Sequence, residues 1–144
     1  RNEPATFIAW AAKDPNSAPL QRLQIIKGWV QDGQVYEKIY DVACADNMEI
    51  DSVSHRCADN SASVSLEDCS ISSEFGAAEL KSRWEDPGYD STQHAFYYVR
   101  AIENPSCRWS TGDAIRAGVE PRPDLPSTIQ ERGWSSPIWF IPPQ

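Results

Sequence analysis

Four cysteines carry the clearest chemistry in this sequence, because paired thiols form a disulfide, hold a metal or act as nucleophiles. They are Cys44, Cys57, Cys69 and Cys107. No two of them form a CxxC pair, whereas a zinc site usually takes two ligands from one short knuckle. The spacing therefore favours disulfides over zinc or free thiols, and disulfides indicate an oxidising compartment.

Four cysteines allow three pairings, so the sequence alone leaves their connectivity open. We favour Cys44 with Cys57, which closes a short loop. The second bridge is then Cys69 with Cys107, which ties an irregular segment to the region after a later strand. Segment 44–73 is polar and has no long apolar period, so we interpret it as a cystine-rich insertion that disulfides stabilise in place of a core.

Residue types that carry hydrolytic catalysis are sparse. The chain has two histidines, His55 and His94, and contains no HxH, HExxH or GxSxG motif. A hydrolytic metal centre and a serine nucleophile are therefore not expected in it. Glu85, Asp86 and Asp90 flank a Pro-Gly turn, but nothing fixes the carboxylate separation that glycosidase chemistry needs. We assign no catalytic residue.

An oxygen-rich run is the remaining metal candidate, and its members are Asp46, Asn47, Glu49 and Asp51. The run resembles a calcium loop in oxygen density but lacks the glycine and glutamate that an EF-hand has at its sixth and twelfth positions. A solvated acidic loop is the alternative interpretation. We expect no cofactor in this chain.

Six tryptophans are an excess for this length, at positions 10, 29, 84, 109, 134 and 139. Packing in the core or between domains is their favoured use, since tryptophans usually bury most of their area. A flat platform that stacks on sugar rings is the alternative.

Segment 116–134 is a charge-dense ridge that contains three prolines, which prevent regular strand pairing and stiffen the chain. Stiffness lowers the ordering cost of docking against another domain. The residues that we expect to contact a neighbouring domain or a ligand are Arg116, Arg122, Glu131, Arg132 and Trp134.

Five β-prone runs predict strands at 5–12, 20–30, 34–43, 94–102 and 137–141. The first run is apolar on both faces, which is typical of a buried strand, and a short helix is the alternative that period alone leaves open. Asp32-Gly33 between the second and third runs predicts a hairpin. Two short helices are predicted at 76–84, where Ala77, Leu80 and Trp84 have helical spacing, and at 111–117.

These elements lack the strand–helix alternation of a parallel sheet, so they predict a mainly β fold. We expect an antiparallel sheet or a β-sandwich, of which the immunoglobulin fold is one version. The 144 residues are expected to form one domain. The formal charge of −8 disfavours nucleic acid as a partner, and no apolar run is long enough to insert into a membrane.

Several segments together resemble the C-terminal region of a large bacterial family of unknown function, the domain family numbered 3604. They are DPNSAPLQRLQIIKGW, YDVAC, HRCADN, AFYYVRAIENPSCRWSTGDAIRAGVEPRPDLP and IQERGWSSPIW. That family is similar to the polymerase-and-histidinol-phosphatase (PHP) superfamily of metal-dependent hydrolases. Its members are longer, often exported, and carry an N-terminal domain with histidine-rich metal motifs, none of which has a counterpart here.

The resemblance implies a location in a larger protein. We expect the chain to be the C-terminal part of a longer, exported, periplasmic or extracellular protein, whose upstream catalytic domain holds a divalent metal. The expected function is that of a non-catalytic accessory domain that packs on this catalytic domain. A ligand-binding module that uses exposed tryptophans is the second hypothesis, and a stand-alone secreted hydrolase is the third. An isolated fragment of this kind is expected to cover its apolar patch by self-association.

Overall fold

A computed structural model describes residues 3–142, which contain nine strands and one helix. In chain order the elements are β1 (Thr6–Ala12), β2 (Leu20–Gln31), β3 (Gln34–Cys44), β4 (Glu79–Glu85), β5 (Ala95–Glu103), β6 (Ser106–Cys107), α1 (Trp109–Ala117), β7 (Thr128–Ile129), β8 (Arg132–Trp134) and β9 (Ile138–Phe140). Every strand pair is antiparallel. The predicted mainly β, antiparallel fold is confirmed.

The main sheet is built around the long strand β2. The predicted hairpin joins β2 to β3 through Asp32 and Gly33, which both have positive φ (51° and 74°), as a two-residue type I′ turn requires. The other edge of β2 pairs with β5. Strand β8 then pairs with one half of β5 and β9 with the other half, so these two short strands share one edge.

A two-stranded ribbon of β1 and β4 lies on one face of the main sheet. Its inward side chains include Ala9 and Leu80, which pack in one buried cluster with Leu23, Ile25 and Tyr97 of the main sheet. The second layer therefore has only two strands, whereas an immunoglobulin sandwich has at least three strands in each sheet.

The helix predicted at 76–84 is wrong, because this segment forms β4. The spacing of Leu80 and Trp84 by four residues also places them on one face of a strand, so the pattern fitted both structures. Pairing with β1 decides the outcome, since an isolated helix of this length is marginal. The second predicted helix is confirmed as α1, which ends at Gly118 in the left-handed conformation.

Strand β1 was expected to be buried on both faces, and this is wrong. Phe7, Ala9 and Ala11 face the core, but Ile8 is 82% and Trp10 is 68% exposed. The ribbon is the outer layer of the fold, so nothing among residues 3–142 covers its second face. Apolar composition alone does not tell an outer strand from a central one.

Both disulfides form in the favoured pairing, Cys44 with Cys57 and Cys69 with Cys107. Between Cys44 and Ser73 the chain has only isolated β-bridges and turns. The insertion was therefore correctly predicted to be irregular and to carry disulfides.

Regular pairing was not expected in segment 116–134, but the structure contains β7 and β8 there. The prolines all precede these strands, so the residues that pair keep their N–H groups. Cys107 pairs with Thr128 and Ala101 pairs with Gly133. These pairings bring Arg132 and Trp134 to the edge of the main sheet.

Candidate functional site

Aromatic side chains line the face of the main sheet that lies opposite the ribbon. Directly opposed residues of an antiparallel pair share a face, and the register opposes Trp139 to Phe96 and Trp134 to Arg100. Tyr98 lies between Phe96 and Arg100 on the same face of β5. We call Phe96, Tyr98, Trp134 and Trp139 the aromatic face.

The rings of Trp139, Phe96 and Tyr98 form a row, and Trp134 lies further along the same face, opposite Arg100. Phe96 contacts Trp139, with ring centroids 5.3 Å apart, and lies 6.3 Å from Tyr98 in a stacked orientation. Trp139 is 67% and Trp134 is 60% exposed. The Phe96 ring lies directly over Gly28, because a Cβ built on Gly28 would be only 2.3 Å from it. Gly28 thus lets the ring lie flat on the sheet.

Charged and polar groups flank this row. Arg100 donates from Nε to Gln24 at 2.8 Å, and Gln24 donates to Asp41 at 2.6 Å. The carboxylate of Asp41 is fully buried and also accepts from Arg22 and from the backbone of Cys57. This network fixes the Arg100 stem, so the row combines flat apolar rings with a positioned cation.

A cleft of about 620 Å³ lies on the other side of the main sheet, between the ribbon and β5. We call it the edge cleft. Its lining residues are 8–12 of β1, Val99, Ala101, 133–136 and Ile138. None of these residues has an ionisable side chain, so the cleft suits an apolar occupant.

The structure brings together only part of the predicted contact set. Glu131, Arg132 and Trp134 line one groove together with Arg108, Ile129 and Gln130. Arg116 and Arg122 are not in this groove. Arg116 pairs with Asp113 on α1, and Arg122 pairs with Asp124.

The calcium candidate Asp46, Asn47, Glu49 and Asp51 does not converge on one point. Asp46 accepts from the backbone N–H of Gly76 and from Asn60. Asp51 accepts from the N–H and hydroxyl of Ser54 and from the N–H of Val53, which lower the pKa of its carboxyl. Within residues 3–142 no group of three or more His, Cys, Asp or Glu side chains is placed to hold a metal ion.

The candidate carboxylate Asp86 instead forms a buried ion pair that sequence reasoning missed. Lys27 donates to Asp86 at 2.5 Å and to the carbonyl of Gly88 at 2.6 Å. The hydroxyl of Tyr97 donates to the same carboxylate, and burial together with this bond raises the pKa of Tyr97. These polar groups all hydrogen-bond to one another, so the cluster holds the loop after β4 in place. Its neighbours Glu85 and Asp90 are exposed.

Residues 1–142 match the sequence model of a family described as Protein of unknown function (DUF3604). The chain belongs to this family. The match to DUF3604 covers both disulfides, the aromatic face and the edge cleft. No curated protein and no solved structure matches the chain. In the described part of the chain, no helix is long and apolar enough to cross a membrane.

Four of the six tryptophans are largely exposed, so Trp10, Trp109, Trp134 and Trp139 do not pack in the core. Packing of these tryptophans between domains, the other use that we expected, stays a prediction. Sequence reasoning missed Phe96 and Tyr98 as surface residues. The signal that could have found them is alternation within β5, where Ala95 and Tyr97 are buried and Phe96 and Tyr98 are only half-buried.

Proposed function

We propose that this chain is a non-catalytic β domain that packs against a neighbouring domain of the same polypeptide through its aromatic face. The observation that carries the proposal is that aromatic side chains occupy one face of the main sheet and include two largely exposed tryptophans, Trp134 and Trp139. Exposed tryptophans beside a positioned arginine are typical anchors of protein interfaces. Water-exposed apolar surface of this kind is stabilised when a partner covers it.

The extent of the apolar surface favours a protein partner. Beyond Trp139 it continues into a groove of about 330 Å³ that is also lined by Val30, Val35 and Ile141. Val35 and Ile141 are both largely exposed. A sugar site needs polar groups that fix hydroxyls, and this groove offers few. An interface needs an apolar centre with a polar rim, which Arg100 and Arg132 supply.

The neighbour in this proposal is a metal-dependent hydrolase domain of the PHP type. The segments ENPSCRWST and ERGWSSPIW, which resemble the C-terminal region of that kind of protein, support this assignment. The divalent metal would be held by the neighbouring domain. Two disulfides support an exported protein, since they persist in oxidising compartments.

The test uses a longer family polypeptide that contains this domain. Replacing both Trp134 and Trp139 with Ala should weaken packing by about 2 kcal/mol or more, the usual cost of losing an interface anchor. The measurement is the free energy of unfolding of the longer protein, with Trp109→Ala as the matched control, because Trp109 is 77% exposed on α1. Equal effects of the two changes would contradict the proposal.

A second test concerns catalysis by this chain alone. The isolated chain should hydrolyse neither phosphoesters nor carboxylesters, with or without added manganese, zinc or iron. Metal-dependent turnover that persists through repurification would contradict the non-catalytic role and support the stand-alone hydrolase.

A carbohydrate-binding module is the second candidate, favoured by the exposure of Trp134 and Trp139 beside Arg100. Sugar rings stack on such flat aromatic surfaces. Titration of a glycan panel should then quench tryptophan fluorescence, and Trp139→Ala should abolish the response. No response to any glycan would leave protein docking as the use of this face.

A further inference from the structure

The ribbon covers only part of the main sheet. Strand β4 lies over β3, where Tyr40 and Trp84 are in contact with ring centroids 4.9 Å apart. Strand β1 lies towards β5, and Phe7 contacts Tyr97 at 4.5 Å. Beyond β1, the edge cleft lies above Val99 and Ala101 of β5. The cleft therefore occupies the position that a third strand of the second layer would fill.

The edge of β1 that faces this cleft has free backbone groups. Asp86 donates to the carbonyl of Ala5, and Lys13 donates to the carbonyl of Ala78, so odd-numbered residues of β1 pair with β4. Antiparallel pairing alternates, and the N–H and C=O groups of even-numbered residues point away from β4. No strand among residues 3–142 pairs with them. They form a ladder ready for one more strand.

The lack of ionisable groups in the edge cleft determines which side chains a third strand could place there. Its walls have no ionisable side chain, and a buried charge without a partner is costly. The side chains that point into the cleft over Val99 and Ala101 must therefore be uncharged and apolar. Those at alternate positions would lie beside exposed Ile8 and Trp10 and remain accessible to water. The matching segment alternates between apolar and polar residues.

A second copy of this chain does not fit the edge. Two β1 strands that paired antiparallel would be related by a two-fold axis normal to the ribbon. Each copy carries β5 and β8 beyond its own β1, beneath the cleft. At a strand separation of about 4.8 Å, these strands of the two copies would occupy the same space. The occupant must be a strand without a second layer of its own at that edge.

From these observations we infer that the neighbouring domain inserts one extended segment into the edge cleft, where it pairs with β1 as the third strand of the second layer. Main-chain hydrogen bonds to Ile8 and Trp10 supply the affinity, and apolar side chains over Val99 and Ala101 supply the specificity. The edge cleft shares Trp134 with the aromatic face but none of Phe96, Tyr98 and Trp139, and the source of the segment rests on the proposed packing role.

The first experiment adds a synthetic strand to the isolated chain. The probe is a capped heptapeptide, Lys-Val-Thr-Val-Thr-Val-Lys, whose valines match the cleft. At about ten times its Kd it should slow amide hydrogen exchange of Ile8, Trp10 and Ala12 about tenfold, as resolved by NMR. The amides of Phe7, Ala9 and Ala11, which already pair with β4, should change less than about twofold. The same peptide with N-methylated threonines cannot donate these threonine N–H groups to the carbonyls of β1. It should leave the exchange rates of the β1 amides unchanged.

Two matched variants test the hydrogen bonds. Ile8→Pro removes one free donor at an exposed position and leaves the pairing with β4 in place, so it should weaken peptide binding at least tenfold. Ile8→Thr keeps the donor and should bind like the unaltered chain. If Ile8→Pro does not fold, the N-methylated peptide supplies the same comparison. A peptide concentration of about 1 mM is far above the Kd expected for a strand-addition site. If amide exchange of β1 is not slowed at this concentration, the inference is overturned.

The source of the strand is tested in the longer polypeptide. There, the even-numbered amides of β1 should exchange slowly without peptide, and the peptide should not bind. Free β1 amides in a protein whose packing still depends on Trp139, which does not line the edge cleft, would overturn the strand inference alone. Protection of β1 with no effect of Trp139→Ala on packing would overturn the aromatic-face proposal alone.

Discussion

At the scale of single residues, the pair of Lys27 and Asp86 holds the main sheet to the loop after β4. Both side chains are almost completely buried, at a separation of 2.5 Å. The carboxylate also accepts from Tyr97 and from the N–H of Gly88. A charged carboxylate can be buried at acceptable cost only when several donors hydrogen-bond to it. The stability of this cluster therefore depends on all of its members.

Replacing Lys27 with Met should therefore destabilise the chain strongly. The change leaves the Asp86 carboxylate buried without its cation, which typically costs about 3–5 kcal/mol. The matched control is Lys81→Met, because Lys81 pairs with Glu79 at the surface and exposed pairs contribute about 0–1 kcal/mol. Urea unfolding of both variants provides the measurement.

A second change separates charge burial from loss of packing. Adding Asp86→Asn to Lys27→Met removes the unpaired negative charge of the buried carboxylate. This change should recover part of the lost free energy of unfolding. A double variant that is less stable than Lys27→Met would mean that the carboxylate still stabilises the fold through its bonds from Tyr97 and Gly88, and that its unpaired charge is not the cause of the loss.

At the scale of elements, the start of β4 depends on one glycine. Gly76 has a φ of 95°, and a Cβ there would lie 2.5 Å from Pro19 and from the side chain of Asn104. Asn104 is completely buried and bonds to Asn60 and to the carbonyl of Phe75. The conformation of this glycine sets the bridge between Ala77 and Leu20, and so the position of the ribbon on the main sheet.

Gly76→Ala should cost about 3 kcal/mol or more, because backbone strain adds to overpacking. Gly33→Ala is the matched control. Gly33 also has positive φ, at 74°, but nothing lies within 4 Å of a Cβ there, so strain of about 1–2 kcal/mol is its whole cost. Thermal unfolding of both variants measures the difference. Equal destabilisation would show that the contacts with Pro19 and Asn104 relax freely.

The elements that the sequence predicts correctly carry local signals. Asp32-Gly33 predicts the central hairpin and the composition of residues 94–102 predicts β5, and both are present. β4 was predicted as a helix because spacing by four residues suits both structures, and only pairing with β1 distinguishes them. β8 was missed because its three residues are too short for a periodic pattern.

The residues of the candidate site were likewise predicted only in part. Trp134 and Arg132 were predicted as contact residues from charge and proline content, and the structure places them beside the main sheet. Phe96 and Trp139 were not predicted as surface residues. Alternation shows that two faces of β5 differ, but which face a second layer covers depends on contacts between residues distant in sequence.

At the scale of the whole molecule, an exposed aromatic face lies on a chain with a formal charge of −8. Apolar attraction favours self-association of the isolated chain, and like-charge repulsion opposes it. Salt screens repulsion between exposed charges and leaves the contact between aromatic rings intact. The balance between these effects is therefore open to measurement.

The isolated chain should form a weak dimer through two aromatic faces, with a Kd of about micromolar to millimolar size for a small contact that lacks optimised complementarity. Added salt should strengthen this dimer, because it weakens repulsion between the two negative chains. Trp139→Ser should weaken it about thirtyfold, as expected for loss of an aromatic anchor. Sedimentation equilibrium measures both effects, with Trp109→Ser as the control, since Trp109 is at least as exposed but lies on α1. Equal weakening by the two variants would indicate nonspecific apolar association. Association that added salt abolishes would indicate contacts between opposite charges. Either result would place the dimer contact away from the aromatic face.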